Sequence, residues 1–153
     1  MKSLELKIPP PFLALCFAIL MWFAGWLVAP LRLPLDARLG VALALGIAGQ
    51  FISVNGVIAF RRAKTTINPF RPAAASSLVS EGVYRYTRNP IYVGLLLTLA
   101  GWAAFLSNPL ALLFLPLFVL YINRFQIDPE ERALSSLFGA EYADYKNRVR
   151  RWL

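Results

Sequence analysis

Apolar residues fall into four long stretches, near residues 10–29, 39–60, 91–106 and 109–125. A helix crossing a bilayer needs about 20 of them, and the first two stretches meet that length. The last two are shorter and are divided only by Ser107-Asn108-Pro109. Asparagine as cap and proline at the first helical position predict a tight helical hairpin there. The pattern predicts an all-α integral membrane protein. Four transmembrane helices are followed by short C-terminal cytoplasmic or interfacial helices. Four spans leave no room for a separate soluble unit, so residues 1–153 form one domain.

The polar and small positions refine this picture. Ala42, Gly46, Gly49, Ser53 and Gly56 recur at helical spacing along the second stretch, and Gly94, Thr98 and Gly101 along the third. Such stripes let helix backbones approach closely in lipid. Gln50 and Asn55 sit inside the second span, as cross-bundle partners or cavity lining, and Pro116 should kink the fourth. No acidic or basic residue interrupts the span interiors, which argues against ion channels and proton pumps. Residues 61–80, with Pro69, Pro72 and an Ala/Ser run, read as a loop. Beyond the fourth span, Asp128-Pro129 has the form of a helix start and Gly139 that of its end. A last helix aligns Phe138, Tyr142, Tyr145, Val149 and Trp152 on one stripe. It should lie on the membrane interface or fold over the mouth of the bundle.

Composition agrees: 58% of residues are hydrophobic and mean hydropathy is +0.57. The net charge of +8 would suggest nucleic acid, were it not for its distribution. In a four-span chain Lys2, Lys7, Arg61, Arg62, Lys64, Arg71, Arg85, Arg88, Arg124, Arg132, Lys146, Arg148, Arg150 and Arg151 share one side, leaving Arg32 and Arg38 opposite. The positive-inside rule then places both termini and the 61–90 loop in the cytoplasm, facing anionic headgroups, and no nucleic-acid partner is needed. The first apolar run is too long for a signal peptide's core and is expected to stay. Cys16 is the only cysteine and reads as an apolar filler.

The chain has no histidine, which removes His-based acid–base catalysis and His-ligated metal sites. With one cysteine and no glycine-rich phosphate loop, no metal is expected and no catalytic residue stands out. What remains is a set of arginines, tyrosines and carboxylates. Asn89-Pro90 predicts the start of the third span, whose free N–H groups would suit a carboxylate, with Arg88 adding charge. The same arginines would equally serve as headgroup anchors. Glu130 and Glu131 fit the first turn of a helix, or one of them a ligand cation; Tyr84 and Tyr92 offer aromatic faces and hydroxyls.

The ordered blocks Gly82-Val83-Tyr84-Arg85-Tyr86-Thr87-Arg88-Asn89-Pro90-Ile91-Tyr92-Val93-Gly94, Ser107-Asn108-Pro109 and the run from Pro129 to Trp152 change the odds. The segment from residue 65 to 153 resembles the isoprenylcysteine carboxyl methyltransferase family and is similar to the related phospholipid methyltransferases. The resemblance implies a helical membrane enzyme that uses S-adenosyl-L-methionine as cofactor. A lipophilic small molecule or lipid would enter from the membrane bilayer and accept the methyl group on a carboxylate, amine, phenol or thiol. The cofactor region it implies is 76–94 and 126–153. Its cofactor-binding positions fall on Ser76, Ser77, Leu78, Val79, Tyr84, Arg88, Asn89, Pro90, Ile91, Tyr92 and Glu130. Asn89 stands where the family often has histidine, and Ser76 where eukaryotic members have it. Gln126 stands where those members carry an arginine assigned to substrate, with Arg124 nearby, so this pair forms the candidate substrate site. The rival readings are a nicotinamide-dependent membrane reductase and a non-enzymatic scaffold that binds headgroups.

Overall fold

The computed structural model describes residues 4–65 and 75–153, and within these the regular structure is all helical. Much of the expected 61–80 loop, including Pro69, Arg71 and Pro72, lies outside the described residues. The helices are α1 (Pro10–Ala24), α2 (Leu35–Arg62), α3 (Pro90–Leu106), α4 (Pro109–Ile122) and α5 (Asp128–Arg148), with a short 3-10 turn over Gly82–Arg85 before α3. Two helical stretches are long and apolar enough to cross a membrane: α2, and the continuous run Pro109–Arg148. The others, α1 and α3, are shorter apolar helices.

The first four helices alternate in direction, and polar contacts fix their ends. At one end, Asn108 Nδ2 donates to Gly25 O and Val28 O at 3.3 and 2.7 Å. Arg38, near the start of α2, donates from Nε to Phe105 O at 2.8 Å. At the other end, Gln126 Nε2 donates to Ile8 O at 2.7 Å. A Cβ placed on Gly56 would touch Pro90 and Ile91 there. Helix α3 is central, packing on α1, α2 and α4. Leu13, Met21, Leu99, Ala103, Ala111, Phe118 and Ile122 form the core between α1, α3 and α4. Against α2 the backbones themselves meet: a Cβ on Gly49 would strike Gly94 O and Thr98, and one on Gly101 would strike Ala42 O. The outward face of α2, with Leu43, Ile47 and Phe51, stays exposed and suits lipid.

Two boundaries differ from the pattern-based expectation. The helix of the first apolar run stops at Gly25, although the run continues to residue 29. The carbonyls of its end are taken by Asn108, and Leu31 N–H bonds to Ser107 O at 2.7 Å. Asp128 is not an N-cap: its φ and ψ of −59° and −46° are helical, and a five-residue π-helical segment, Asn123–Ile127, joins α4 to α5 without a break. Pro129 lacks the N–H that Phe125 O would otherwise accept, and Leu6 N–H supplies it at 3.0 Å. Gly139, at φ +47°, does break α5 into two parts, as its place in the sequence suggests. The α3–α4 hairpin forms as expected, with Ser107 left-handed and Asn108 Oδ1 accepting from Leu110 N at 2.9 Å. Asn55 bonds to Phe51 O in its own helix, whereas Gln50 reaches Thr98 of α3.

Candidate functional site

Where α1 begins, α2 ends, and α3 and α5 begin, the helices enclose a cavity of about 300 Å³. This is near the lower end of the roughly 300–1,000 Å³ of small-molecule sites. Its wall is mostly apolar and aromatic. Phe60 of α2 meets Tyr84 edge-on at 5.5 Å between ring centroids. The second half of α5 folds back over the mouth, so Tyr142 and Tyr145 are buried and Tyr145 Oη donates to Tyr84 O at 2.8 Å. Burial pushes the Tyr84, Tyr142 and Tyr145 hydroxyls above their ordinary range, and all three stay protonated.

Nine of the sequence-predicted positions line this cavity: Ser77, Leu78, Val79, Tyr84, Arg88, Asn89, Ile91, Tyr92 and Glu130. The other two do not. Ser76 is exposed and held by Thr65 Oγ1 and Lys64 O, while Pro90 is buried as the first residue of α3. Neither candidate substrate residue reaches the cavity. Arg124 is exposed, and Gln126 is buried beneath the N-terminal segment through its bond to Ile8. Sequence reasoning missed Phe60, Leu134, Tyr142 and Tyr145 as lining, although the aromatic stripe on the last helix was the signal for the tyrosines.

Two adjacent carboxylates face the cavity in different electrostatic states. Glu131, read as a helix-dipole residue, is instead the hub of an ion cluster. It accepts from Arg88 Nη2 at 2.9 Å and from Arg151 Nη2 at 2.7 Å, with Lys146 Nζ at 3.7 Å. Burial works to raise its pKa, but the bonds from Arg151 and Arg88 outweigh that and hold it below the ordinary value. Glu130 has no such partner: among the described residues, no Lys or Arg is within ion-pair distance of it. Tyr92 Oη donates to its Oε1 at 2.5 Å. Burial pushes this carboxyl up to about 7, against the opposing effect of the Tyr92 bond.

The start of α3 is occupied by the chain itself. Arg88 N–H donates to Arg150 O at 2.9 Å, and Asn89 Nδ2 and Thr87 Oγ1 both donate to Arg151 O. Asn89 therefore ties down the C-terminal segment instead of capping its own helix. Arg88 Nη1 donates to Val149 O and Lys146 O, and its Nε is buried with no partner among the described residues. Trp152 Nε1 closes the segment by donating to Asn123 Oδ1 at 3.0 Å.

Comparison with known proteins accords with this geometry. Residues 37–141 match the phospholipid methyltransferase family. An uncharacterized protein of Haemophilus influenzae is 52% identical over 63 residues, which is 41% of this chain and all of that protein. Protein-S-isoprenylcysteine O-methyltransferase B of Arabidopsis thaliana is 31% identical over 107 residues, 70% of this chain and 54% of the plant protein. Protein-S-isoprenylcysteine O-methyltransferase of Mus musculus is 40% identical over 73 residues, 48% of this chain and 26% of the mouse protein. The chain thus spans about half the length of its plant relatives, and no solved structure matches it. The family match runs from the start of α2 through the 3-10 turn and α3 into the second half of α5, and so takes in most of the cavity wall: the chain belongs to the phospholipid methyltransferase family.

Proposed function

We propose that this protein is a four-span membrane methyltransferase that draws S-adenosyl-L-methionine from the cytoplasm and methylates a lipophilic acceptor. The observation that carries this reading is the cavity itself, an aromatic chamber at the end of an apolar bundle that holds a neutralised ion pair and an uncompensated carboxyl. That donor set fits the cofactor. The buried Arg88 Nε, unpartnered among the described residues, can take its carboxylate, Glu130 a positive charge, and the rings of Tyr84, Tyr92 and Phe60 its flat and cationic parts. Ser77, Leu78, Val79, Asn89 and Ile91 also line the cavity. S-adenosylmethionine supplies an electrophilic methyl group on a sulfonium centre. The protein's part is alignment and exclusion of water, which the buried tyrosines over the mouth support. The acceptor presents a carboxylate, amine, phenol or thiol.

Calorimetry on the detergent-solubilised protein tests this reading with S-adenosylmethionine, S-adenosylhomocysteine and NADPH. Binding of the first two and not the third is expected. Binding of NADPH alone would favour a reductase, and binding of none a scaffold.

The alternating helices and the sorting of basic residues support the topology. Arg61, Arg62, Arg88 and the basic residues of α5 lie at the cavity end, and Arg32 and Arg38 at the other. With Cys16 replaced by alanine, a cysteine at Asp36 is expected to react with an impermeant reagent added outside cells. One at the exposed Glu141 is expected to react only after lysis. The reverse pattern would remove access to the cytosolic cofactor.

A further inference from the structure

Glu130 is set apart in the cavity wall. Its neighbour Glu131 on α5 is held by Arg88 and Arg151, whereas among the described residues Glu130 meets only a phenol, that of Tyr92 on α3. Among the described residues, the other titratable groups that line the cavity around it are Tyr84 in the 3-10 turn, Arg88 before α3, and Tyr142 and Tyr145 on the folded-back half of α5. Those tyrosines are buried and uncharged, and Arg88 is engaged by Glu131.

We propose that Glu130 is the residue by which the site distinguishes the positively charged sulfonium of S-adenosylmethionine from the neutral thioether of S-adenosylhomocysteine. The inference rests on the methyltransferase reading above and deepens it. The cofactor has two cationic groups, and the wall discriminates between them. An ammonium carries three N–H donors and needs acceptors for them. Beside Glu130 stand the phenols of Tyr92, which already takes one carboxylate oxygen, and Tyr84, and the cavity they share is walled largely by apolar side chains and aromatic rings. A trialkyl sulfonium donates no hydrogen bond and needs only a counter-charge and aromatic faces. The amino-acid end of the cofactor finds its match at the Arg88–Glu131 pair instead.

Glu130 then has a counter-charge only while the methyl group is in place. On transfer, the acceptor's lone pair forms the new bond to carbon, and the pair of the broken S–C bond stays on sulfur. The positive charge leaves sulfur with the methyl group, and Glu130 is left in an apolar wall beside a neutral thioether. Its carboxyl, with a pKa of about 7 in the free protein, is ionised by the cation and takes a proton back once the cation is gone. An opposite charge lowers a carboxyl pKa, so binding of the cation releases a proton near neutral pH and tightens as pH rises through about 7. Binding of the thioether should not respond in this way. Product is therefore held more weakly than cofactor.

Calorimetry with both ligands, at about pH 6 and about pH 8 on either side of the carboxyl's pKa and in two buffers of different ionisation heat, reads affinity and protons together. The expected result is that S-adenosylmethionine binds more tightly at the higher pH and releases a substantial fraction of one proton near neutrality, while S-adenosylhomocysteine does neither. Glu130→Gln should weaken S-adenosylmethionine roughly tenfold or more, leave S-adenosylhomocysteine unchanged and abolish the proton release. Equal pH responses of the two ligands in the unaltered protein would overturn the proposal. So would an equal loss of affinity for both in the variant, which would put Glu130 on the ammonium. In either of those cases binding itself persists and the methyltransferase reading stands; absence of binding by both ligands would sink that reading as well.

Discussion

Glu131→Gln is expected to destabilise the protein by about 3 kcal/mol, the low end of what is lost when one partner of a buried ion pair is removed. Glutamine keeps the shape but leaves Arg88 and Arg151 without their counter-charge. The low end applies because the Arg88 and Glu131 side chains are each only 10% exposed, whereas Arg151 is 34% exposed and partly rehydrated. The loss reaches beyond α5. Arg151 is also bonded to Asp128, and its carbonyl receives Thr87 and Asn89, so freeing its side chain loosens the segment that closes the start of α3. Thermal unfolding in detergent measures this, and a fall in midpoint of less than a few degrees would show the cluster to be a solvated surface pair.

The pH dependence separates this effect from anything Glu130 does. Glu131 has a folded-state pKa below its ordinary 4.5, so its stabilisation is full above that value and is lost as pH falls through the folded pKa. Glu130 has a raised pKa. Its contribution is full below 4.5 and is lost as pH rises to about 7. Glu131→Gln should therefore flatten the acid limb of the stability profile. Glu130→Gln should flatten the part between 4.5 and about 7.

These two residues also mark the limit of what the sequence reveals. Local signals carried the helices, the Ser107-Asn108-Pro109 hairpin and the break at Gly139, because each depends on residues within one turn of it. The α3 start and the aromatic stripe of the final helix were legible for the same reason, though the place of its tyrosines in the cavity wall was not. Features that depend on distant partners were not. The end of α1 is set by Asn108, more than 80 positions away, and the continuity through Asp128 by a π-helical segment whose freed carbonyl is satisfied by Leu6. Glu131 looked like an ordinary first-turn acid because Arg88 is 43 positions and Arg151 20 positions from it. Adjacent helical residues point about 100° apart, so only one of the two glutamates was expected to face the cavity. Both line it, on a wall that wraps around the start of α5.

Gly94→Val is expected to cost about 3 kcal/mol, at the upper end of overpacking penalties, while Gly46→Ala should cost nothing. Both glycines belong to the small-residue stripes that suggested close helix packing, and the sequence gives no reason to rank them. The structure does. A Cβ on Gly94 would run into Ser53 Oγ and the backbone oxygen of Gly49, and neither backbone can retreat without separating α2 from α3. That contact is the principal hold on α2, which among the described residues is otherwise packed mainly on the 3-10 turn and lies with most of its surface outward. A Cβ on Gly46 meets nothing within 4 Å. Alanine there removes the helix penalty of glycine and should stabilise by about 0.5–1 kcal/mol. Because α2 carries Val57 and Phe60 into the cavity wall, Gly94→Val should also weaken S-adenosylhomocysteine binding, although neither Gly94 nor Ser53 lines the cavity. Thermal unfolding and calorimetry of the two variants side by side provide the check. Similar midpoints for both would mean that α2 and α3 are held together by their larger side chains and not by the meeting of their backbones.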